Sequence, residues 1–367
     1  MSMKAKLILE DGSIYEGHAF GYTGETVGEV VFNTGMTGYQ EMMTDPSYKG
    51  QIVLLTYPLI GNYGVKKLFN QSKKPTINGL IVRECYKDHL GWQKGYTLEN
   101  YMKENKIIGI EGIDTRAITK KTREQGTMKG MISCSQDLEE ENIRGKILSY
   151  ENRKAVAEVS TKEYYYLKPE VLNIAVIDYG VKAYILKSFQ DRNCLVHVFP
   201  AFSTPEEILK VHPDGIVFSN GPGDPIDLEF LIPNIKKLIA TQIPILGICL
   251  GHQLLSIALG GKTEKIKYGH RGSNHPVKDL DKNKVYITSQ NHGYVVKAES
   301  LDKNKMTITH VNMNDGTLEG FRHNILPILS VQFHPEAGPG PHDSQYIFDD
   351  FIEMIKGTKE GKVKTHA

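Results

Sequence analysis

The sequence places one cysteine in a strand-to-helix turn that is typical of enzyme nucleophiles. Cys249 stands within Gly247-Ile248-Cys249-Leu250-Gly251, which follows one apolar segment and opens another. In this Gly-x-nucleophile-x-Gly elbow, the glycines allow a sharp turn, and the helix N-terminus favours a thiolate. A buried structural cysteine is the alternative interpretation. The turn favours a nucleophile at Cys249, whereas Cys85, Cys134 and Cys194 lack this context.

A cysteine nucleophile needs a base and a group that orients the base, and one short pattern can supply both. His334 and Glu336 follow an apolar segment and are two residues apart. An extended backbone therefore points both side chains to the same side. Alone, this pattern also fits a capped surface turn or a pair of metal ligands. Together with the elbow, it predicts that His334 is the base and acid and that Glu336 orients its ring.

Acyl transfer also needs hydrogen-bond donors for an oxyanion. Gly221-Pro222-Gly223 is expected at the end of another strand of the same sheet, where glycine lets backbone N–H groups approach a substrate closely. The N–H of Leu250 is the other candidate donor. A plain tight turn is the alternative interpretation of the two glycines.

The strands and helices that position these residues can be predicted from the sequence. The second half predicts strands at 172–178, 195–199, 215–219 and 243–248, with helices at 182–191, 204–211, 228–240 and 250–259. Such alternation with short links predicts a mostly parallel sheet flanked by helices. Further strands are predicted at 285–289, 306–311 and 326–333, and a last helix from Asp343.

The first half predicts a strand-rich α+β domain. Alternation on both sides of Asp11-Gly12 is a hairpin signal, and helices are predicted at 97–105 and 114–125. The predicted domain limits are 1–150 for this domain, 151–171 for a linker and 172–357 for the α/β domain.

The amino-acid composition of the chain argues against several classes of function. The 367 residues suit two domains, and the net charge of +1 offers no electrostatic argument for nucleic acid or an anionic membrane. The four cysteines form no Cys-x-x-Cys pair, so no metal site is predicted. So few cysteines in a chain of this length are typical of a reducing compartment such as the cytoplasm. The N-terminus has no apolar signal segment, which agrees with a cytoplasmic location. No phosphate-binding Gly-x-x-x-x-Gly-Lys motif occurs, so no ATP site is predicted on this chain.

Together, the motifs GPGDP, GICLGHQLL and HPEA, in that order, resemble the class I glutamine amidotransferases. The resemblance implies a Cys249–His334–Glu336 triad that hydrolyses glutamine through a γ-glutamyl thioester, with oxyanion donors at Gly221 and Leu250. The first half is similar to the carbamoyl-phosphate synthase small-chain family, through VFNTGMTGYQE, TDPSY and GIDTR.

The resemblance also implies a set of residues that hold L-glutamine. These positions are Ser47, Gly221, Gly223, Leu250, Gln253, Asn291, Gly293 and Tyr294. Gln253 lies four residues after Cys249, on the same helix face. Where the family commonly has an acidic stretch, this chain has lysines, at Lys66, Lys67, Lys73 and Lys74.

The family resemblance implies a partner. Ammonia would pass to a large synthetase chain, which would hold ATP and Mg²⁺ and make carbamoyl phosphate for arginine or pyrimidine biosynthesis, or both. Domain 1–150 would dock that chain, and a higher oligomer of the heterodimer stays open. No cofactor, nucleic acid or membrane is expected for this chain itself. The alternatives are a stand-alone cysteine hydrolase of γ-glutamyl compounds and a non-catalytic scaffold.

Overall fold

The computed structural model describes residues 3–87, 96–135, 140–168 and 171–361. The chain divides into two compact units. The first consists of Met1–Asn152 and Lys267–Gly272, and the second of Arg153–Ile266 and Ser273–Ala367. Within the described ranges, no helix combines the length and the apolar character needed to cross a membrane.

A closed barrel of seven strands forms the centre of the first unit. The strands of this unit are β1 (Lys4–Leu9), β2 (Ile14–Gly21), β3 (Glu25–Asn33), β4 (Gln51–Leu55), β5 (Leu59–Ile60), β6 (Gly79–Ile81), β7 (Glu84–Cys85), β8 (Ile108–Glu111) and β9 (Met128–Ser133). The barrel order is β1-β2-β8-β6-β4-β3-β9, and β9 closes it by pairing with β1. β1 and β2 form the predicted hairpin, with Ile8 opposite Ile14.

Short helices surround this barrel. They are α1 (Tyr39–Thr44), α2 (Leu98–Glu104), α3 (Thr115–Gln125) and α4 (Glu140–Leu148). Both helices predicted in the first half are confirmed, and α3 begins after Asp114, whose carboxylate accepts a hydrogen bond from the N–H of Ala117 at 2.9 Å. In the lysine-rich loop, the backbone N–H of Lys66 donates to Gln40 Oε1 at 2.8 Å.

The second unit contains a ten-stranded mixed sheet. Its strands are β10 (Tyr165–Leu167), β11 (Leu172–Asp178), β12 (Cys194–Pro200), β13 (Gly215–Phe218), β14 (Ile245–Ile248), β15 (Thr263–Asp279), β16 (Lys284–Val296), β17 (Met306–Asn312), β18 (Leu318–His323) and β19 (Ile328–Val331). The order is β10-β12-β11-β13-β14-β19-β18-β17-β15-β16. The pairings from β12 to β19 are parallel, as predicted. The antiparallel pairings lie on both sides of this centre.

Helices cover the parallel centre. They are α5 (Ala155–Val159), α6 (Ala183–Gln190), α7 (Pro205–Leu209), α8 (Ile232–Ala240), α9 (Leu250–Ala258) and α10 (Tyr346–Lys359). The predicted helix from Leu228 is instead a 3-10 helix, Pro225–Leu231, followed by α8. Pro233 explains the late start, because proline is tolerated only in the first turn of an α-helix. The segment 151–171, predicted as a linker, contains α5 and β10, and residues 169 and 170 lie outside the described residues.

Apolar side chains fill both faces of the parallel centre. One cluster includes Phe218, Leu254 and Ile235, and the other includes Val176, Phe348 and Phe351. The buried sheet therefore holds the ends of β13, β14 and β19 rigidly, and the residues predicted to do chemistry follow those three ends.

Candidate active site

Cys249 lies in a sharp turn between β14 and α9. It is buried, its φ is +53°, and its N–H donates to the carbonyl of Val331 at 2.9 Å. Left-handed φ at a residue with a side chain is strained and typical of functional sites. Both flanking glycines lie against backbone: a Cβ on Gly247 would lie 2.9 Å from the carbonyl oxygen of Gly251, and one on Gly251 would lie 2.1 Å from the carbonyl oxygen of Phe218.

His334 follows β19, and its ring lies beside Glu336 and close to Cys249. Its Nδ1 lies 2.8 Å from Glu336 Oε1, and the Cys249 thiol is near enough to the ring to raise its pKa. Its backbone N–H donates to the carbonyl of Ser289 at 2.9 Å, which holds the segment after β19 against β16. All three side chains are buried. The structure thus brings together the three residues predicted as a catalytic set.

The charges in this set are strongly coupled. Burial acts to lower the pKa of His334, but the Glu336 carboxylate and the Cys249 thiol outweigh burial and raise the pKa to about 10. Burial acts to raise the pKa of Glu336, but Lys182 and His334 outweigh it and lower the pKa to about 2. At neutral pH, Glu336 is therefore a carboxylate, and it makes His334 a strong proton acceptor by stabilising the protonated ring.

Lys182 is a member of this set that the sequence reasoning missed. Its Nζ lies 2.9 Å from Glu336 Oε1 and donates to the carbonyl of Ala337, and its side chain is almost fully buried. Its backbone N–H donates to Asn220 Oδ1 at 3.2 Å, next to the predicted oxyanion glycine. The sequence contained one indication of this role. The positive charge of a lysine at the N-terminus of α6 interacts unfavourably with the helix dipole, so Lys182 needs a negatively charged partner outside the helix.

The predicted oxyanion donors are neighbours. A Cβ on Gly221 would lie 2.8 Å from Leu250 Cδ2 and 2.4 Å from the carbonyl oxygen of Tyr179, so only glycine fits there. The N–H of Leu250 belongs to the first turn of α9, where N–H groups lack partners within the helix. Gly223, two residues after Gly221, is exposed and has a φ of +94°.

Two of the predicted glutamine-binding residues of the second unit, Asn291 and Gln253, contact Cys249. Asn291, Gly293 and Tyr294 belong to β16, and the carbonyl of Asn291 is 3.7 Å from Cys249 Sγ. Gln253, on α9, donates through Nε2 to the carbonyl of Tyr294 at 2.8 Å and to Gln332 Oε1 at 3.0 Å. The helix that begins at the nucleophile is therefore connected to the strand expected to bind the substrate.

Ser47 belongs to the first unit. It lies in a 3-10 turn, Pro46–Tyr48, and its N–H donates to Asp45 Oδ1 at 2.9 Å. Its side chain is buried. Its predicted contact with glutamine stays a prediction.

Comparisons with known proteins assign both parts of the chain. Residues 175–354 match the family described as glutamine amidotransferase class-I. Residues 7–132 match the family described as carbamoyl-phosphate synthase small chain, CPSase domain.

Relatives match over nearly the whole length. The carbamoyl phosphate synthase small chain of Clostridium perfringens (strain 13 / Type A) is 55% identical over 351 residues, 96% of this chain and 99% of the relative. That of Bacillus caldolyticus is 50% identical over 363 residues, 98% of this chain and 99% of the relative. The carbamoyl phosphate synthase pyrimidine-specific small chain of Bacillus subtilis (strain 168) is 48% identical over 361 residues, 98% of each chain.

Proposed function

The chain belongs to the carbamoyl phosphate synthase small chain family, and from that premise we propose that it is the subunit that hydrolyses L-glutamine. The products are glutamate and ammonia, and the ammonia passes to a large synthetase chain. The single observation that carries the proposal is that the buried His334 ring is hydrogen-bonded to Glu336 and lies close enough to the Cys249 thiol for the thiol to raise its pKa.

The first chemical step forms a thioester. The Cys249 thiol gives its proton to His334, and the sulfur attacks the amide carbon of glutamine. The N–H groups of Gly221 and Leu250 stabilise the oxyanion that develops on the amide oxygen. As the carbon–nitrogen bond breaks, His334 donates its proton to the leaving nitrogen, which departs as ammonia.

The second step returns the enzyme to its starting state. His334 takes a proton from water, the hydroxide attacks the thioester carbon, and the carbon–sulfur bond breaks to give glutamate. The sulfur then regains its proton from His334. Glu336 keeps the ring in one orientation through both steps, and the Lys182 ammonium holds Glu336 as a carboxylate.

The remaining chemistry belongs to the partner. The large chain would bind ATP and Mg²⁺ and make carbamoyl phosphate from bicarbonate, since no ATP motif occurs here. We assign docking of that chain to domain 1–150, because the family match at 7–132 lies outside the catalytic residues. The Bacillus subtilis relative is named pyrimidine-specific, and the proposed pathway is pyrimidine or arginine biosynthesis, or both. The cytoplasmic location stays a prediction.

Cys249→Ser tests the proposal in the complex with the large chain. Glutamine-dependent carbamoyl phosphate synthesis should fall on the order of 10⁶-fold, as when other enzymes lose their nucleophile. Ammonia-dependent synthesis should be unchanged, because that reaction needs no thioester.

Cys134→Ser is the matched control, because Cys134 lies in the other unit and outside any elbow. It should retain full glutamine-dependent activity. Glutamine-dependent synthesis by Cys249→Ser within tenfold of the wild type would contradict the proposal.

A further inference from the structure

A glutamate lies inside the sheet of the second unit, and no step of the proposed reaction uses it. Glu319 belongs to β18, and its side chain has no exposed surface. Burial of a carboxyl group costs free energy unless hydrogen bonds compensate it, and a leucine would pack there without that cost. The contacts of the Glu319 carboxyl group should therefore explain why a glutamate lies there.

One carboxyl oxygen of Glu319 accepts two side-chain hydrogen bonds. Gln290 Nε2, on β16, donates to Oε1 at 2.9 Å, and Asn312 Nδ2, on β17, donates to the same oxygen at 2.8 Å. Burial raises the pKa of Glu319 to about 7, although Gln290, Asn312 and the nearby His334 act to lower it. A glutamine side chain has the same shape and keeps an acceptor oxygen in the place of Oε1, so it would preserve both bonds.

The hydrogen bonds continue from Gln290 into the strand that faces Cys249. Gln290 Oε1 lies 2.8 Å from His292 Nε2, and His292 Nδ1 lies 2.9 Å from the carbonyl of Tyr294. The His292 ring thus lies between two acceptor oxygens, Gln290 Oε1 and the carbonyl of Tyr294. The carbonyl of Tyr294 also accepts the bond from Gln253 described above.

Through these contacts, Glu319 affects the position of residues 291–294. Gln290 Nε2 also donates to Thr288 Oγ1, at the longer distance of 3.2 Å. Without Glu319 the shorter bond is lost, so the amide can rotate, and Gln290 Oε1 then moves away from His292. Asn291, Gly293 and Tyr294 share the strand with these two residues, so their positions depend on the same contacts.

We infer that Glu319 is a positioning residue, which holds residues 291–294 in the shape that binds glutamine by fixing Gln290 and, through it, His292. The inference rests on the proposed glutaminase function and assigns Glu319 no contact with substrate. A residue of this kind acts on substrate affinity more than on the chemical step, and its hydrogen-bonding shape matters more than its charge.

The test compares Glu319→Ala with Glu319→Gln in the full chain bound to the large chain, with glutamate release as the assay. Glu319→Ala should raise the KM for glutamine at least tenfold while kcat stays within threefold of the wild type. Glu319→Gln keeps the acceptor oxygen and should restore KM to within threefold. A folded Glu319→Ala protein with wild-type KM, or no rescue by Glu319→Gln, would overturn the inference.

Gln290→Ala provides a second route if Glu319→Ala does not fold. It removes the link to His292 itself and should raise the KM for glutamine at least tenfold. The KM of the double variant, Glu319→Ala with Gln290→Ala, should exceed that of either single variant by less than threefold. Asn312→Ala is the matched control, because it removes the other bond to the same oxygen without touching the link to His292. Its KM should stay within threefold of the wild type even if Tm falls.

An unchanged KM in Gln290→Ala, or a tenfold rise in Asn312→Ala, would show that the network has no specific effect on the strand. Wild-type protein that releases no glutamate from glutamine would instead refute the proposed function, so the two failures are distinguishable.

Discussion

Lys182→Met is the perturbation whose effect on stability the structure defines most sharply. The substitution keeps the length of the side chain but removes its charge, which deprives the buried Glu336 carboxylate of its ammonium counterion. Breaking a buried ion pair from one side costs roughly 3–5 kcal/mol. The pKa of Glu336 changes in the same direction: Lys182 is the largest contribution that lowers it, to about 2, and His334 also contributes.

The dependence on pH follows from the direction of that change. The folded-state pKa of Glu336 is lowered, so its stabilisation is present above the unfolded pKa of about 4.3 and is lost as the pH falls towards 2. In Lys182→Met the folded-state pKa of Glu336 rises. The difference in stability between wild type and variant should therefore be largest at neutral pH and should shrink below about pH 4.

Thermal and urea unfolding, followed by circular dichroism at pH 7, measure the effect. At about 2–4 °C per kcal/mol for a unit of this size, we expect Tm to fall by roughly 10 °C. Lys187→Met is the matched control: Lys187 pairs with Asp191 at 2.8 Å on the same helix, but both side chains are exposed, so the loss should stay below about 1 kcal/mol. Adding Glu336→Gln to Lys182→Met should recover part of the loss, because no unpaired charge remains buried. Equal losses in Lys182→Met and Lys187→Met would refute the reasoning.

Three further predictions address the chemistry and the partner. His334→Asn should slow both formation and hydrolysis of the thioester, and Glu336→Gln should slow them less, because it only orients the ring; single-turnover assays that rank the two variants in the opposite order would show that the roles are wrongly assigned. Gly251→Ala places a Cβ 2.1 Å from a backbone carbonyl and should shift the elbow, with a loss of glutamine-dependent activity on the order of 10²-fold, whereas Gly145→Ala, where the added Cβ meets nothing within 4 Å, should retain activity. Deletion of residues 1–150 should abolish capture by the large chain in a pull-down, once circular dichroism shows the remainder to be folded, and full-strength capture would move the docking surface out of that domain.

Local patterns in the sequence determined the parallel centre of the second unit and the turn that carries Cys249. Strand periodicity and the glycines around the cysteine act over a few residues, so each could be identified without knowledge of the fold. The pairing of His334 with Glu336 was equally local, because two residues in extended backbone share a side. The structure places all of these where the sequence predicted.

The tertiary structure alone decided the features that depend on distant partners. The closed barrel of the first unit and the strands β15 and β18 were not predicted, since β15 is largely polar and neither strand shows its partners in its own residues. Lys182 lies more than 150 residues before its partner Glu336, and Glu319 lies 29 residues after Gln290; in isolation each resembles an exposed charge. Whether a charged side chain can be buried depends on a partner that the fold brings close, and that partner has no fixed spacing along the chain.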